Sequence, residues 1–176
     1  MGKNAAWFFV LALGCCIANA ADNPSPKQVV KEKVEEINNA LIKEDFAKVI
    51  ELTHPKAIEL VGGKEKAISA LESVIKEMKT RGLAFRATKI DDPSDPLAVG
   101  TELFVVAPFV LESKAPFGKV VQKSFYIGVS SDRGKTWVFV NGDYSVDTIK
   151  KVLPNLPEKL KLPEHEKPVI VKESEK

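Results

Sequence analysis

A histidine beside a proline, a tyrosine in an alternating run and one eight-residue polar stretch are where this 176-residue chain has the means to do chemistry. His54 precedes Pro55, and an imidazole titrating near neutrality can take or give a proton. Tyr126 offers a phenol that can hold an enolate oxygen, provided an acidic base such as Glu102 faces the same ligand. Arg86 offers a cation on a neighbouring run. The stretch SSDRGKTW (Ser130–Trp137) supplies a carboxylate, hydroxyls and a glycine at close spacing. Each has a plainer reading. Thr53 or His54 suits the cap of the next helical turn, and Glu51 and Glu59 suit solvated helix charges. His165 sits in a charged tail and reads as exposed. Two histidines over a hundred residues apart, without a coordinating cluster, give no metal site, and no motif calls for a cofactor.

The polar stretch fits S-x-D-x-G-x-T-W at every fixed position, a pattern called an Asp-box that sialidases and other propeller proteins carry several times over. A hairpin explains it without sugar chemistry. Gly134 tolerates positive φ, Asp132 can accept from backbone amides across the turn, Ser130 and Thr136 can bond locally, and Trp137 can cover the turn from the strand. None of these is a nucleophile with a base beside it. A propeller also needs several four-stranded blades, and this chain has one copy of the motif. The stretch is therefore expected to be a structural turn.

The elements that must position these groups follow in order along the chain. Ser25-Pro26-Lys27-Gln28 opens a helix, with Ser25 as cap and Pro26 at the first turn, and Val30, Val34, Ile37 and Leu41 form its apolar face to about Lys43. Asp45 caps a shorter helix that Pro55 ends. Ala57, Ile58 and Val61 suggest a further turn or two before Gly62-Gly63. Ala67 to Met78 carries a full helical stripe, with Lys79, Arg81 and Gly82 closing it. The period then becomes extended: Leu83 to Ile90, Val99 to Leu111 with an edge or bulge at Pro108, Lys119 to Val129, and Thr136 to Val140. A short helix spans 145–153, prolines follow, and residues 164–176 read as a charged, frayed tail. Helices first and an antiparallel meander second mean α+β.

The first twenty residues read as a cleaved secretory signal: Lys3, the uncharged apolar run Ala5 to Ile17, then Ala18-Asn19-Ala20. The rivals are an uncleaved anchor and a lipid at Cys15, the latter with Leu13 placed one position too close. Cys15 and Cys16 would leave with the signal, so the exported protein would have no thiol and no disulfide. Taking Lys3 from the 26 basic residues leaves 25 against 24 acidic ones. Those charges are interspersed, which argues against a nucleic-acid stripe or a membrane patch. One domain over 21–163 is expected.

DFAKVIELTHPKAIELVGGKEKAI (Asp45–Ile68), SFYIGVSSDRGKTWVFV (Ser124–Val140) and LPNLPEKLKLP (Leu153–Pro163) resemble the nuclear transport factor 2-like superfamily, with its SnoaL-like cyclases and ketosteroid isomerases. They resemble most a group of exported bacterial proteins within it that has no assigned activity. The resemblance implies N-terminal helices on a curved antiparallel sheet of about four strands, a cone with an apolar pocket at its mouth. Alternation puts Leu83, Phe85 and Ala87, then Leu103, Val105, Ala107 and Phe109, then Phe125, Ile127 and Val129 toward the helices. Phe85, Leu103, Val105, Phe125 and Ile127 are the expected pocket lining. The same alternation turns Arg86, Glu102 and Tyr126 away, which leaves the interior without an acid or base. The leading expectation is thus an exported, non-catalytic module that binds a small apolar ligand or a protein partner. One alternative is a small pocket enzyme, of isomerase, cyclase or hydrolase type, using His54 with Tyr126. The other is a structural or assembly protein acting through the outer sheet face. Trp137/Phe139 and Val138/Val140 make the last strand apolar on both sides, so the outer face needs a cover: the leucines of Leu153–Pro163, or a homodimer through the sheets.

Overall fold

Helix α1 (Pro26–Ile42) starts as its sequence requires, with Ser25 Oγ accepting from the Gln28 amide at 3.3 Å and Pro26 in the first turn. Asp45 caps α2 (Phe46–Leu52) in the same way, accepting from Lys48 N. His54 caps α3 (Pro55–Val61), which Gly62 ends at φ 99°, and α4 (Lys64–Thr80) follows directly. Lys48 joins α2 to α1 through Glu36 at 2.8 Å, and Lys79 of α4 reaches Glu44 at 2.6 Å. The computed structural model describes residues 24–172, so the signal expected over 1–20, with Cys15, lies outside the described residues. Among the described residues no helix is long and apolar enough to cross a membrane.

Among the described residues the sheet has six antiparallel strands, where about four were expected. They are β1 (Ala84–Ile90), β2 (Leu97–Val99), β3 (Glu102–Ala115), β4 (Gly118–Ser130), β5 (Val138–Asn141) and β6 (Val169–Val171). The order β1-β3-β4-β5 forms the expected meander, while β2 adds to β3 and β6 adds to β4. β6 comes from the stretch expected to fray, and pairs with Lys119–Val121. Pro108 sits where a missing amide costs no ladder bond. β1 stops opposite Phe109, β2 begins opposite Phe104, and the turn between them bonds Pro108 O from Asp91 N and Val106 O from Ser94 N.

Register decides which residues meet. Ala107 lies opposite Tyr126 and Val105 opposite Gly128, so Tyr126 shares a face with Val105, Ala107 and Phe109. That face packs on α1 and α2 through Val30, Val34, Ile37, Val49 and Leu52. Phe139 joins it from β5 and Trp137 from just before that strand, and Gly128 admits them: a Cβ there would lie 3.1 Å from Phe139 and 3.3 Å from Trp137. Phe125, Ile127 and Val129 lie on the opposite face with Phe104, Val106 and Val140. This corrects the expectation that the Phe125 set faces the helices and Tyr126 faces away. The reason is that both faces are buried, so apolarity along β4 does not mark the inner one. The second core is closed by α5 (Val146–Val152) and the chain after it, with Leu153 and Leu160 buried and Leu156 and Leu162 packed alongside. The expected leucine cover on the outer face is present.

Candidate functional site

A cavity of about 280 Å³ opens between the helices and the inner sheet face. Ile37 and Leu41 of α1, with Val49 and Ile50 of α2, form one wall. Ala57, Ile58 and Val61 of α3 face Ala67, Ala70, Leu71 and Val74 of α4. Tyr126 and Phe139 form the floor, and Asn141 and Tyr144 close one end. Ala57 and Ala67 leave space because their methyl groups stand where larger side chains would fill the core, and Ala70 leaves it open toward the exposed side of α4. Val61, Val74 and Tyr144 are partly exposed and mark the mouth.

None of the described lining residues carries a charged side chain. The Thr53 hydroxyl is engaged locally, donating to Val49 O at 2.7 Å, and Asn141 Oδ1 accepts from the Asp143 amide at 2.8 Å. Tyr126 stacks on Phe109 at 4.9 Å between centroids and meets Phe139 edge-on at 6.2 Å. Burial, with Asp143 and Tyr144 nearby, pushes its phenol well above the ordinary tyrosine range. It stays protonated and can donate a hydrogen bond, but it is no base near neutral pH. Its Oη lies 3.4 Å from Asn38 Oδ1, and Asn38 is itself 1% exposed.

The structure does not assemble the enzyme constellation. His54 Nδ1 accepts from Lys56 N at 3.2 Å and its own amide donates to Phe139 O at 2.8 Å, so the ring is a helix cap. Burial, then the charge of Lys56, lowers its pKa, which keeps the acceptor nitrogen free of a proton. Its neighbours Thr53 and Ala57 line the cavity while His54 does not. Glu102 is taken by Asn155 of the outer tail at 3.2 Å, and Arg86 is exposed. A Ser–Asp–His cluster lies just past the end of the β4–β5 pairing. Ser124 Oγ donates to Asp143 Oδ1 at 2.9 Å, and His165 Nδ1 lies 3.9 Å from that same oxygen. The carboxylate stands between the other two, so the imidazole is not placed to take the serine's proton as in a catalytic triad. Among the described residues no group of His, Cys, Asp or Glu is placed to hold a metal.

The polar turn is closed on itself. Asp132 Oδ1 accepts from Ser130 Oγ, Lys135 N and Thr136 N at 2.8, 3.0 and 2.8 Å, and Oδ2 accepts from Thr136 Oγ1 at 2.7 Å. Gly134 N donates to Ser130 Oγ and Trp137 Nε1 to Gly134 O. These bonds, led by that from the Thr136 amide, lower the Asp132 carboxyl to about 2. Arg133 and Gly134 both take positive φ, at 63° and 89°.

Of the five residues expected to line the pocket, none borders this cavity. Leu103 and Val105 pack in the inner core, Phe125 and Ile127 in the outer one, and Phe85 borders a smaller cleft against α4 and the end of α1. The actual lining comes mainly from the helices, together with Tyr126 and Phe139. The signal available in the sequence was small residues at helical spacing, Ala67 and Ala70 on α4, with Ala57 on α3. No protein-family model matches the chain, and no characterised protein matches it either.

Proposed function

We propose that the protein is an exported, non-catalytic module that takes up a small, neutral, apolar ligand between α1–α4 and the inner sheet face. The carrying observation is a cavity lined by apolar side chains and uncharged polar ones, with no charged side chain and no metal cluster at it among the described residues. Its volume is near the lower end, about 300 Å³, of ordinary ligand sites. A charged ligand would lose its hydration there without gaining a partner, whereas an apolar one gains by leaving water. Helices on one face of an antiparallel sheet with a cavity between them also support a cone of the nuclear transport factor 2-like kind. Export rests on the pattern of residues 1–20.

Titration with Nile red, a neutral solvatochromic dye, tests the reading. Saturable binding with blue-shifted emission is expected, and Ala70→Trp, which plugs the cavity from its exposed α4 side, should abolish it without lowering the melting temperature. Unsaturable binding, or binding indifferent to Ala70→Trp, would refute a ligand site here.

A further inference from the structure

Asn38 Nδ2 is buried and has no hydrogen-bond partner. A carboxamide with two donors sealed from water and no acceptor is costly, and such a group stands out in a native fold. Among the described residues its side-chain partner is the phenol of Tyr126, at 3.4 Å from Oδ1. Tyr126 borders the cavity. With the phenol donating to Oδ1, both donors of Nδ2 go unused. Half a turn of the carboxamide makes Nδ2 the donor and Oη the acceptor, since oxygen and nitrogen exchange places at almost constant shape. That turn satisfies one orphan donor and frees the phenol O–H, but strips Oδ1 of its partner. In an empty cavity the exchange gains little. With an acceptor oxygen against Oη, the phenol donates to it and receives from Nδ2, so two hydrogen bonds replace one.

We infer that Asn38 and Tyr126 form a pair that recognises an uncharged acceptor oxygen, such as a ketone, aldehyde or ester carbonyl, on the apolar ligand. This deepens the ligand-binding reading and rests on it. Tyr126 makes the contact and Asn38 is a positioning residue that releases the phenol proton. A neutral carbonyl suits the site better than a carboxylate, because no lining residue compensates an anion.

Displacement of Nile red by two near-isosteric competitors, 2-acetylnaphthalene and 2-isopropylnaphthalene, tests the pair. Tyr126→Phe should lower the ketone-to-hydrocarbon affinity ratio by about two- to tenfold, the range of one net hydrogen bond. Asn38→Asp should make that ratio depend on pH. The carboxylate can only accept and so holds the phenol proton at high pH, while the protonated acid can donate to Oη and restores the ketone preference at low pH. On the unsubstituted protein, the carbonyl stretch of bound 2-acetylnaphthalene should lie at lower wavenumber than in a hydrocarbon solvent, which needs no variant to fold. An unshifted band, or an affinity ratio unchanged by Tyr126→Phe, would overturn the pair while leaving the ligand site standing. Failure of both competitors and of Nile red itself to bind would overturn both.

Discussion

Leu160→Ala measures how firmly the C-terminal segment is docked on the outer sheet face. Leu160 is 6% exposed and packs in the core that holds Phe104, Phe125, Ile127 and Val140. It lies outside any helix or strand, with its amide donating to Pro157 O at 2.9 Å, so truncation removes packing and no secondary-structure propensity. Buried leucine-to-alanine changes cost about 2–5 kcal/mol, the low end applying where the surroundings can collapse into the cavity. An irregular segment can shift more than a strand, so about 2–3 kcal/mol is expected here. At about 2–4 °C per kcal/mol for a chain of this size, the melting temperature should fall by about 4–12 °C. Leu60→Ala is the matched control. Leu60 is 55% exposed on α3, and a surface change of this kind should stay within about 0.5 kcal/mol. Thermal denaturation by circular dichroism, with oligomeric state checked by light scattering, reads both. Equal midpoints for the two variants would refute the argument, because the same atoms are removed and only the burial differs.

Two further outcomes follow from the titrating groups. Asp132 has a carboxyl depressed to about 2 by its turn bonds, so its contribution is complete above the unfolded value of 3.8 and is lost as pH falls toward 2. Asp132→Ala should therefore melt below the parent protein at pH 7 and converge with it near pH 2, as differential scanning calorimetry would record; a gap independent of pH would contradict the bonding described. His54 also has a depressed pKa, so its cap contributes fully above its unfolded value of 6.5 and weakens as pH falls through the lower folded value. His54→Asn, which retains a capping acceptor, should match the parent at pH 8 and lose less stability on acidification, and urea titrations at both pH values would expose a failure of either part.

What could be read from the residues alone were the local commitments. Ser25, Asp45 and His54 cap helices because their side chains reach the amides two or three residues on, a matter of neighbours in sequence. The Ser130–Trp137 turn closes within its own eight residues, so its structural role was legible, as was the need for some cover on the outer face, which the packed leucines supply. Tertiary structure alone decided what faces what. β3 alternates Phe104, Val106 with Val105, Ala107, and β4 alternates Phe125, Ile127 with Tyr126, so either phase is compatible with burial when both faces are covered. The pairing of Ala107 with Tyr126 selects one phase, moving Phe125 and Ile127 to the outer core and Tyr126 to the cavity floor. Nor does any local pattern announce that Asn38, at a helical position among Val34, Ile37 and Leu41, meets a phenol 88 residues away. That contact exists only because helix α1 packs on the sheet face that Tyr126 shares, and nothing short of the packed chain could place an unpartnered amide beside a cavity-lining phenol.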